Sequence, residues 1–388
     1  MSNHANTMRA LRGDAAWSGV LAFDEMQGAI LVRKPIPVQG QSPARSGFTP
    51  RALTEDDISA AQEWLQIAGL RSSGRDTVHH AMMARARECA FHPVRDWLTG
   101  LRWDGHERLE TWLTECLGAD SDDYIRAIGR MFMIAMVARV CRPGCKVDHM
   151  PVLEGEQGIR KSSACAILGG PWFSDAMPGD VTAKDASQHL RGKWLIEFGE
   201  MHALTRSETT ALKAFVTRRT EIYRPPYDRT EVAEPRQCVF VGTTNRSVYL
   251  RDDTGGRRFW PVRVGDVRLD RLMDIRDQLF AEALVRFREG EPWWPDPVFE
   301  RRWIQPEQED RLECEAWDEL VVNYLHERAR VTALDVARNA LGIETPRIGR
   351  SETNRITAIL ERAGWRRGRR DGGSRWWVPG RRSDEPAS

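Results

Sequence analysis

The sequence has 388 residues and a formal net charge of +1, from 57 Lys and Arg against 56 Asp and Glu. This length has room for two or three domains, and the near-neutral balance excludes an overall cationic field, so nucleic acid has to be bound by local basic patches. Seven cysteines without regular spacing, no secretory leader and no apolar run long enough to cross a bilayer predict a cytoplasmic protein without a membrane segment.

The first part of the chain is predicted to hold two regions without readable chemistry. Residues 1–50 indicate a poorly structured segment with one short hairpin and a linker rich in Pro, Gly and Ser. Residues 51–143 indicate a helical domain, because apolar side chains recur at helical spacing from Thr54 onwards. The longest apolar run, Met131 to Val140, predicts a buried helix.

A cysteine pair at the end of this region raises the question of a metal site. Cys141, Cys145 and His149 are spaced closely enough to suggest zinc, but a fourth ligand is not evident. Pro143 and Gly144 lie between the two cysteines, and a Pro-Gly turn that leads into the next strand is the favoured interpretation.

A phosphate-binding loop is predicted near the start of an α/β core that spans residues 144–300. A short apolar strand, Met150 to Leu153, runs into a glycine-bearing turn, and Lys161 and Ser162 then open a helix. In a P-loop, backbone N–H groups cradle phosphates, the lysine contacts the β- and γ-phosphates, and the serine hydroxyl binds Mg²⁺. The predicted ATP contacts are Gly155, Gln157, Gly158, Ile159, Arg160, Lys161, Ser162 and Ser163.

One position departs from the usual P-loop pattern. Arg160 stands where the pattern G-x-x-x-x-G-K-[ST] has its second glycine. A side chain there crowds the nucleotide or forces a costly backbone conformation. The alternative interpretation of the whole stretch is a loop that happens to hold glycines before a helix.

A second strand, Lys193 to Glu200, ends in acidic residues, as a Walker B strand does. Glu197 occupies the position of the acid that holds the Mg²⁺ shell, together with Ser162. Glu200 is the candidate for polarising the attacking water. The alternative is an ordinary buried strand that leads into a polar loop.

Two later stretches complete the predicted catalytic set. A third strand, Cys238 to Gly242, leads to Asn245, whose amide can orient a hydrolytic water at the γ-phosphate. Arg257 and Arg258 follow two glycines and are candidates for an arginine finger that reaches a neighbouring subunit's nucleotide. An internal salt bridge is the alternative for these arginines.

Nucleic-acid contacts are predicted in two places. Between the second and third strands, arginines alternate with tyrosines in a pattern that can grip phosphates and stack bases, with a solvated hairpin as the alternative. These candidates are Lys213, Arg218, Arg219, Arg224, Tyr227 and Arg229.

The second place is the C-terminal part, residues 301–388, where three helices and a basic hairpin predict a winged-helix domain. Its candidate DNA contacts are Arg355, Arg366, Arg367, Arg369, Arg370 and Arg375. Winged helices also dock proteins, and that alternative stays open.

Together these motifs resemble those of the virulence-associated protein E family, ATPases of phages, plasmids and genomic islands. The resemblance covers about half the chain, from His92 to Trp294, and rests on linked stretches: His92 to Leu98, Trp103 to Gly105, the P-loop, Trp194 to Glu200, Arg224 to Tyr227, Gly242 to Asn245 and Thr254 to Trp260. It implies an AAA+-like fold similar to superfamily 3 helicases and a role in DNA replication. Members often carry a primase domain upstream, and none is predicted here.

Carried over by position, the resemblance implies that Lys161 and Ser162 contact phosphate and Mg²⁺, and that Glu197 is the Walker B acid. It likewise makes Asn245 the sensor and Arg257 or Arg258 the finger. The function hypothesis is a DNA-dependent ATPase that forms a ring, with a hexamer as the expected state. The alternative is a nucleotide-gated DNA-binding or replication-initiation protein with weak or lost turnover. A small-molecule kinase is disfavoured because no acceptor pocket can be read.

Overall fold

The structure is a computed structural model that describes residues 3–38, 47–224, 231–250, 256–312, 316–371 and 374–380. The chain forms two compact units, Met1–Leu312 and Glu313–Ser388. Residues 51–143 and 144–300, predicted as separate domains, both lie inside the first unit. The second unit begins later than the predicted boundary at residue 301, because the segment before it packs on the central sheet: Gln308 Nε2 donates to the carbonyl of Phe259 at 2.7 Å.

The N-terminal part of the first unit is more ordered than the expected loose segment over residues 1–50. It contains α1 (His4–Gly13), β1 (Leu21–Asp24), β2 (Ala29–Val32), β3 (Arg51–Ala52), α2 (Glu55–Ile67), α3 (Arg75–Glu88) and β4 (Ala90–Phe91). The strands form one sheet in the order β3-β2-β1-β4, and β1 and β2 pair as the predicted hairpin. Helix α1 is capped by the Asn3 side chain and buries Met8 and Leu11 against α3 and the sheet. This short apolar stripe explains why helix α1 was missed.

Three helices lead from this sheet to the central one: α4 (Pro93–Gly100), α5 (Trp112–Leu117) and α6 (Asp123–Cys141). Helix α6 is buried over most of its length, as the apolar run predicts. Among the described residues, no helix is both long and apolar enough to span a membrane. The turn after α6 has Gly144 at φ 77°, a value that glycine adopts without strain.

The rest of the first unit is built on a five-stranded parallel sheet. Its elements are β5 (Met150–Glu154), α7 (Lys161–Gly169), β6 (Phe173–Ser174), α8 (Lys184–His189), β7 (Leu195–Phe198), α9 (Arg206–Val216), β8 (Thr220–Tyr223), β9 (Val232–Pro235), β10 (Val239–Thr244), β11 (Phe259–Arg263), α10 (Leu269–Arg288), α11 (Pro297–Phe299) and α12 (Gln305–Glu309). The sheet order is β11-β5-β10-β7-β6, and all four pairings are parallel. The first unit is therefore an α/β structure with a parallel sheet, as predicted.

Side chains from both faces of this sheet enter apolar cores, as expected for a parallel sheet covered by helices. On one face Leu153, Val241 and Leu195 join α6, α7 and α10; on the other, Val152 and Phe240 join α9. The carboxyl ends of the strands meet at a single edge of the sheet. The loops that leave this edge therefore carry the predicted P-loop, acidic and Asn residues.

Strands β8 and β9 pair as an antiparallel hairpin outside the central sheet. Its base is fixed by a buried ion pair in which Arg236 Nε donates to Glu221 Oε1 at 2.9 Å. Tyr227 and Arg229 belong to the connection over residues 225–230 and lie outside the described residues.

The second unit contains α13 (Ala316–Leu325), α14 (Ala333–Asp335) continued by a π-helical turn (Val336–Ala340), α15 (Arg350–Arg362), β12 (Trp365–Asp371) and β13 (Ser374–Pro379). Its core includes Val321, Ile356, Leu360 and Trp377. The two strands form an antiparallel pair, and Val331 adds a single bridge to Trp377. Three helical segments and a hairpin thus lie where the sequence predicts them.

Candidate functional site

Two glycines shape the loop between β5 and α7, where the sequence predicts a phosphate-binding loop. A Cβ added at Gly155 would lie 2.6 Å from Ile159 Cδ1 and 2.8 Å from the carbonyl oxygen of Val264, so only glycine fits there. Gly158 has φ 85°, another conformation that favours glycine. Gln157 and Ser163 are exposed. The loop ends at the N-terminus of α7, where free backbone N–H groups and the helix dipole attract anions.

Arg160 adopts a left-handed backbone conformation of the kind that favours glycine. Its φ and ψ are 69° and 30°, in the left-handed region, and it is the residue immediately before α7. A side chain in this region costs roughly 1–2 kcal/mol. The side chain is exposed, so it does not fill the loop. The loop therefore keeps its glycine-like path at the expense of local strain.

The Lys161 side chain folds back over the loop. Its Nζ donates to the carbonyl oxygens of Gly155 at 2.7 Å and Glu156 at 2.8 Å. Partial burial lowers the pKa of Lys161, and the carboxylate of Glu197 acts in the opposite direction. The ammonium group thus lies at the mouth of the loop, held by two backbone bonds that a phosphate can replace.

Glu197 joins the second strand to the P-loop helix. Ser162 Oγ donates to Glu197 Oε1 at 2.7 Å, and Thr243 Oγ1 donates to the same oxygen at 2.6 Å. The residue is 3% exposed, and its other carboxylate oxygen, Oε2, is buried without a hydrogen-bond partner. A hydroxyl and a carboxylate with an unused oxygen fit Mg²⁺, which is bound through few protein ligands together with water and phosphate.

The other two predicted polar residues lie at the same edge of the sheet. Glu200 is two residues beyond β7, is exposed and has φ 51°, which makes it, with Arg160, one of two non-glycine residues with positive φ in the described chain. Asn245 is exposed and follows directly after β10. Because β10 lies between β5 and β7, Asn245 leaves the sheet between the P-loop and the acidic loop.

The two candidate finger arginines lie at the amino ends of the parallel strands, opposite to the carboxyl ends that carry the P-loop. They form a 3₁₀ turn, Gly256–Arg258, directly before β11, which runs parallel to β5. Arg257 is exposed and lines a cavity of about 270 Å³ with Lys146, His149 and Trp260, while Arg258 is half-buried. The structure does not bring these arginines to the P-loop of their own chain.

His149, which lines the same cavity as Arg257, belongs to the possible metal site with Cys141 and Cys145 that the sequence raises. Its ring stacks on Trp260 with centroids 3.6 Å apart, and burial lowers the pKa of His149 to about 3. Within the described part of the chain, no group of three or more His, Cys, Asp or Glu is placed to hold a metal ion.

The structure corrects one of the predicted DNA contacts. Lys213 is only 6% exposed, because it lies on the inner face of α9, with Nζ 5.9 Å from the ring centroid of Phe259. A buried ammonium group leaves no surface for a DNA phosphate. Charged residues on a predicted amphipathic helix are expected on its outer face, and the sequence offered no sign of this exception.

The arginines of the β8–β9 hairpin remain at its surface. Arg218 is half-buried, lies over the ring of Phe215 and pairs with Glu221 at 3.6 Å. Arg219 is exposed and donates from Nε to the carbonyl of Gly144 at 2.8 Å. Arg224 is exposed at the end of β8.

The second unit places most of its predicted DNA contacts on α15 and the β12–β13 hairpin. Arg355 is half-buried and lies 3.8 Å from the ring centroid of Trp317. Arg366, Arg367 and Arg375 are exposed, and Arg367 pairs with Glu361 at 3.3 Å. The backbones of Arg369 and Arg370 lie in β12, and their side chains are outside the described part of the structure.

Sequence reasoning missed two members of the site. Thr243 was noted only as part of a motif, although its hydroxyl bonds Glu197. Glu154, the last residue of β5, is buried in an ion pair with Arg311, 157 residues later. A buried polar residue near the carboxyl end of a core strand is the signal that points to Thr243; no local pattern points to Arg311.

A family model, the virulence-associated protein E-like domain, matches residues 98–313, more than half of the chain. The chain belongs to this family. The match includes the P-loop, Glu197, Asn245 and the arginine pair, so the predicted resemblance is confirmed. Among curated proteins, none matches the chain.

Two solved structures of the C-terminal region of NrS-1 are similar in fold. The first has a TM-score of 0.50 and 10% identity, and covers 98% of this chain and 100% of the other. The second also has a TM-score of 0.50 and 10% identity, with coverages of 93% and 96%. A RuvB mutant of Thermotoga maritima matches 64% of this chain and 90% of its own, with 16% identity. Its TM-score of 0.25 is too low to support any conclusion about this chain. At 10% identity, the NrS-1 matches show a similarity of fold and nothing more.

Proposed function

We propose that the chain is a DNA-dependent ATPase that acts as a replicative DNA helicase of a phage, plasmid or genomic island. The observation that carries this proposal is the contact of Ser162 and Thr243 with the buried Glu197, directly beside a P-loop. A phosphate-binding loop that faces a carboxylate is the arrangement that a Mg²⁺–nucleotide site requires. The family resemblance supports the role in replication.

The proposed roles follow from where each group lies. Lys161 exchanges its bonds to the Gly155 and Glu156 carbonyls for bonds to the β- and γ-phosphates. Ser162 and Glu197 would hold the Mg²⁺, which would neutralise charge on the phosphates. Asn245 and Glu200 leave the same sheet edge and orient and polarise the attacking water.

Ring assembly is the second part of the proposal. Arg257 and Arg258 lie at the amino edge of the sheet and the P-loop at its carboxyl edge, so an arginine finger from this turn serves the nucleotide of a neighbour. A head-to-tail interface of this kind repeats until the ring closes, and we propose a hexamer of AAA+-like cores.

DNA is proposed to bind at two places. The β8–β9 hairpin carries Arg218, Arg219 and Arg224 into the central pore. In the second unit, the order of helices and hairpin supports a winged-helix domain that engages duplex DNA through α15 and the exposed arginines of β12 and β13.

The test is ATP hydrolysis with and without single-stranded DNA, in the wild type and in Lys161→Ala. We expect stimulation by DNA in the wild type and no measurable turnover in the variant. Lys34→Ala is the matched control, because Lys34 Nζ also donates to a backbone carbonyl, that of Ser18 at 2.7 Å, but in the N-terminal sheet. A Lys161→Ala rate equal to the wild-type rate rules out the mechanism. Particle mass with and without ATP and DNA tests the hexamer.

Arg160 favours a second candidate function, a nucleotide-gated DNA-binding or replication-initiation protein with weak or lost turnover. Its strained position in the loop is the observation that supports this alternative. A single-turnover ATPase assay separates the two candidates: nucleotide binding with no product, in the presence of DNA, favours the regulator.

A further inference from the structure

The strand that carries the P-loop is tied to the last residues of the first unit. Arg311 Nε lies 3.0 Å from Oε1 of Glu154, and Nη2 lies 3.2 Å from Oε2. Glu154 is the last residue of β5 and immediately precedes Gly155, the first residue of the loop. Arg311 also donates to the carbonyl of Glu307 at 3.1 Å and pairs with its carboxylate. The guanidinium group thus connects two carboxylates, one of which stands at the entry of the P-loop.

The backbone of Arg311 makes a second connection. Its carbonyl oxygen accepts hydrogen bonds from the backbone N–H groups of Tyr249 at 3.1 Å and Leu250 at 2.9 Å. These residues follow Asn245, the proposed sensor, by a few positions. On the loop side, the carbonyl of Thr244 accepts a hydrogen bond from Gly155 at 3.3 Å. Arg311 therefore joins the P-loop strand, through Glu154, to the segment beyond the proposed sensor, through Tyr249 and Leu250.

Burial makes this ion pair sensitive to the loss of either partner. Glu154 is 4% exposed, and the Arg311 side chain is 14% exposed. Burial raises the pKa of Glu154, and the hydrogen bonds from Arg311 oppose that rise. Removal of one partner of a buried pair leaves an uncompensated charge, which then takes up a proton or moves towards water. Movement of Glu154 displaces Gly155, whose carbonyl holds Lys161.

We propose that Arg311 is a positioning residue of the nucleotide site, which holds Glu154 so that Gly155 and Lys161 face the phosphates. Arg311 itself acts through Glu154 and does not contact the nucleotide. This inference rests on the proposed nucleotide-binding function and adds a residue from outside the motifs.

The experiment compares Arg311→Ala with wild type by titration with AMP-PNP and Mg²⁺ in the absence of DNA. We expect the Kd to rise about tenfold, the range seen when a supporting partner of a ligand-binding group is lost. Arg311→Lys, which keeps the charge, recovers part of the affinity. Glu154→Gln raises the Kd about as much as Arg311→Ala, and the double variant raises it no further, because both changes break one interaction.

Arg236→Ala is the matched control. Arg236 is also paired with a buried carboxylate, Glu221, and its side chain is fully buried, but it lies before the amino end of β10, away from the P-loop. If Arg236→Ala loses as much affinity as Arg311→Ala, or if all Arg311 and Glu154 variants keep the wild-type Kd, the proposal is overturned. Should Arg311→Ala fail to fold, Arg311→Lys and Glu154→Gln decide by the same measurement.

A second measurement needs no nucleotide. Hydrogen exchange of the amides over residues 155–162 is expected to be faster in Arg311→Ala than in wild type, and unchanged in Arg236→Ala. If Arg311→Ala exchanges faster but the wild type binds no AMP-PNP, the proposed function is contradicted, and with it the role of Arg311 at a nucleotide site, while the ordering of the loop by Arg311 is supported. Unchanged exchange with normal wild-type binding contradicts the positioning role alone.

Discussion

Replacement of Arg160 by glycine tests how the loop tolerates its departure from the P-loop pattern. The left-handed conformation at φ 69° costs a side-chain-bearing residue roughly 1–2 kcal/mol. Glycine removes that cost but loses roughly 0.5–1 kcal/mol more conformational entropy on folding. The expected net gain in the free energy of unfolding for Arg160→Gly is therefore about 0.7 kcal/mol, within a range of roughly 0–1.5 kcal/mol.

The effect on nucleotide affinity is expected to be smaller than the sequence pattern implies. Arg160 has the left-handed conformation, and we expect the loop to keep this conformation, with the same strain, when a nucleotide binds. A change that affects the free and bound loops equally leaves the Kd unchanged. We expect the Kd for AMP-PNP to differ by less than about fivefold, which corresponds to about 1 kcal/mol.

The assay combines urea unfolding with AMP-PNP titration of the wild type, Arg160→Gly and Arg160→Ala. Alanine keeps the backbone cost and removes the guanidinium group, so the difference between the two variants isolates the backbone contribution. Arg160→Ala is expected to show no gain in stability. A Kd that falls more than tenfold in Arg160→Gly, without increased stability, would refute the reasoning, since the free loop would then not be left-handed at this residue.

Two further predictions concern Thr243 and His149. Thr243→Val removes the hydrogen bond to Glu197 Oε1 while it keeps the side-chain shape, and we expect about tenfold more Mg²⁺ for half-maximal hydrolysis, with Thr244→Val as control. Burial lowers the pKa of His149 in the folded chain to about 3, from the ordinary value near 6.5. Between pH 6.5 and pH 3 the His149 side chain therefore binds a proton only in the unfolded chain. Because protonation then favours unfolding, stability falls as the pH falls. Between pH 7 and pH 5, the free energy of unfolding measured with urea is expected to fall by about 2 kcal/mol less in His149→Phe than in the wild type. The same decrease in both proteins would contradict the low pKa of His149.

The residues of the candidate nucleotide site could be selected from the sequence because they belong to local patterns, although their roles stay a prediction. A strand, two glycines and a Lys-Ser pair define the loop within 14 residues, 150–163. The acid-tipped and Asn-tipped strands follow in order, and parallel strands bring their carboxyl ends to one edge. The contact between Ser162 and Glu197 follows from that topology.

The parts that sequence could not supply depend on long-range packing. Nothing near Arg311 indicates Glu154 as its partner, because the two residues meet only when the segment after α10 returns to the sheet. Lys213 lies on a helix whose buried face is set by its neighbours, and its charge predicted the wrong side. Helix α1 buries too few apolar residues for its periodicity to stand out.

The order of strands in the central sheet also has a consequence for biosynthesis. Val152 in the P-loop strand pairs with Gly242 on one side and with Pro261 on the other, 90 and 109 residues later. At roughly 5–20 residues per second, the ribosome takes about 5–20 s to deliver both neighbours. Until Gly242 has been synthesised the P-loop strand has neither partner, so we expect that a nucleotide at the proposed site does not assist the earliest steps of folding. Pairing over such distances is intrinsically slow, and the last strand delivered, β11, completes the pairing of the P-loop strand.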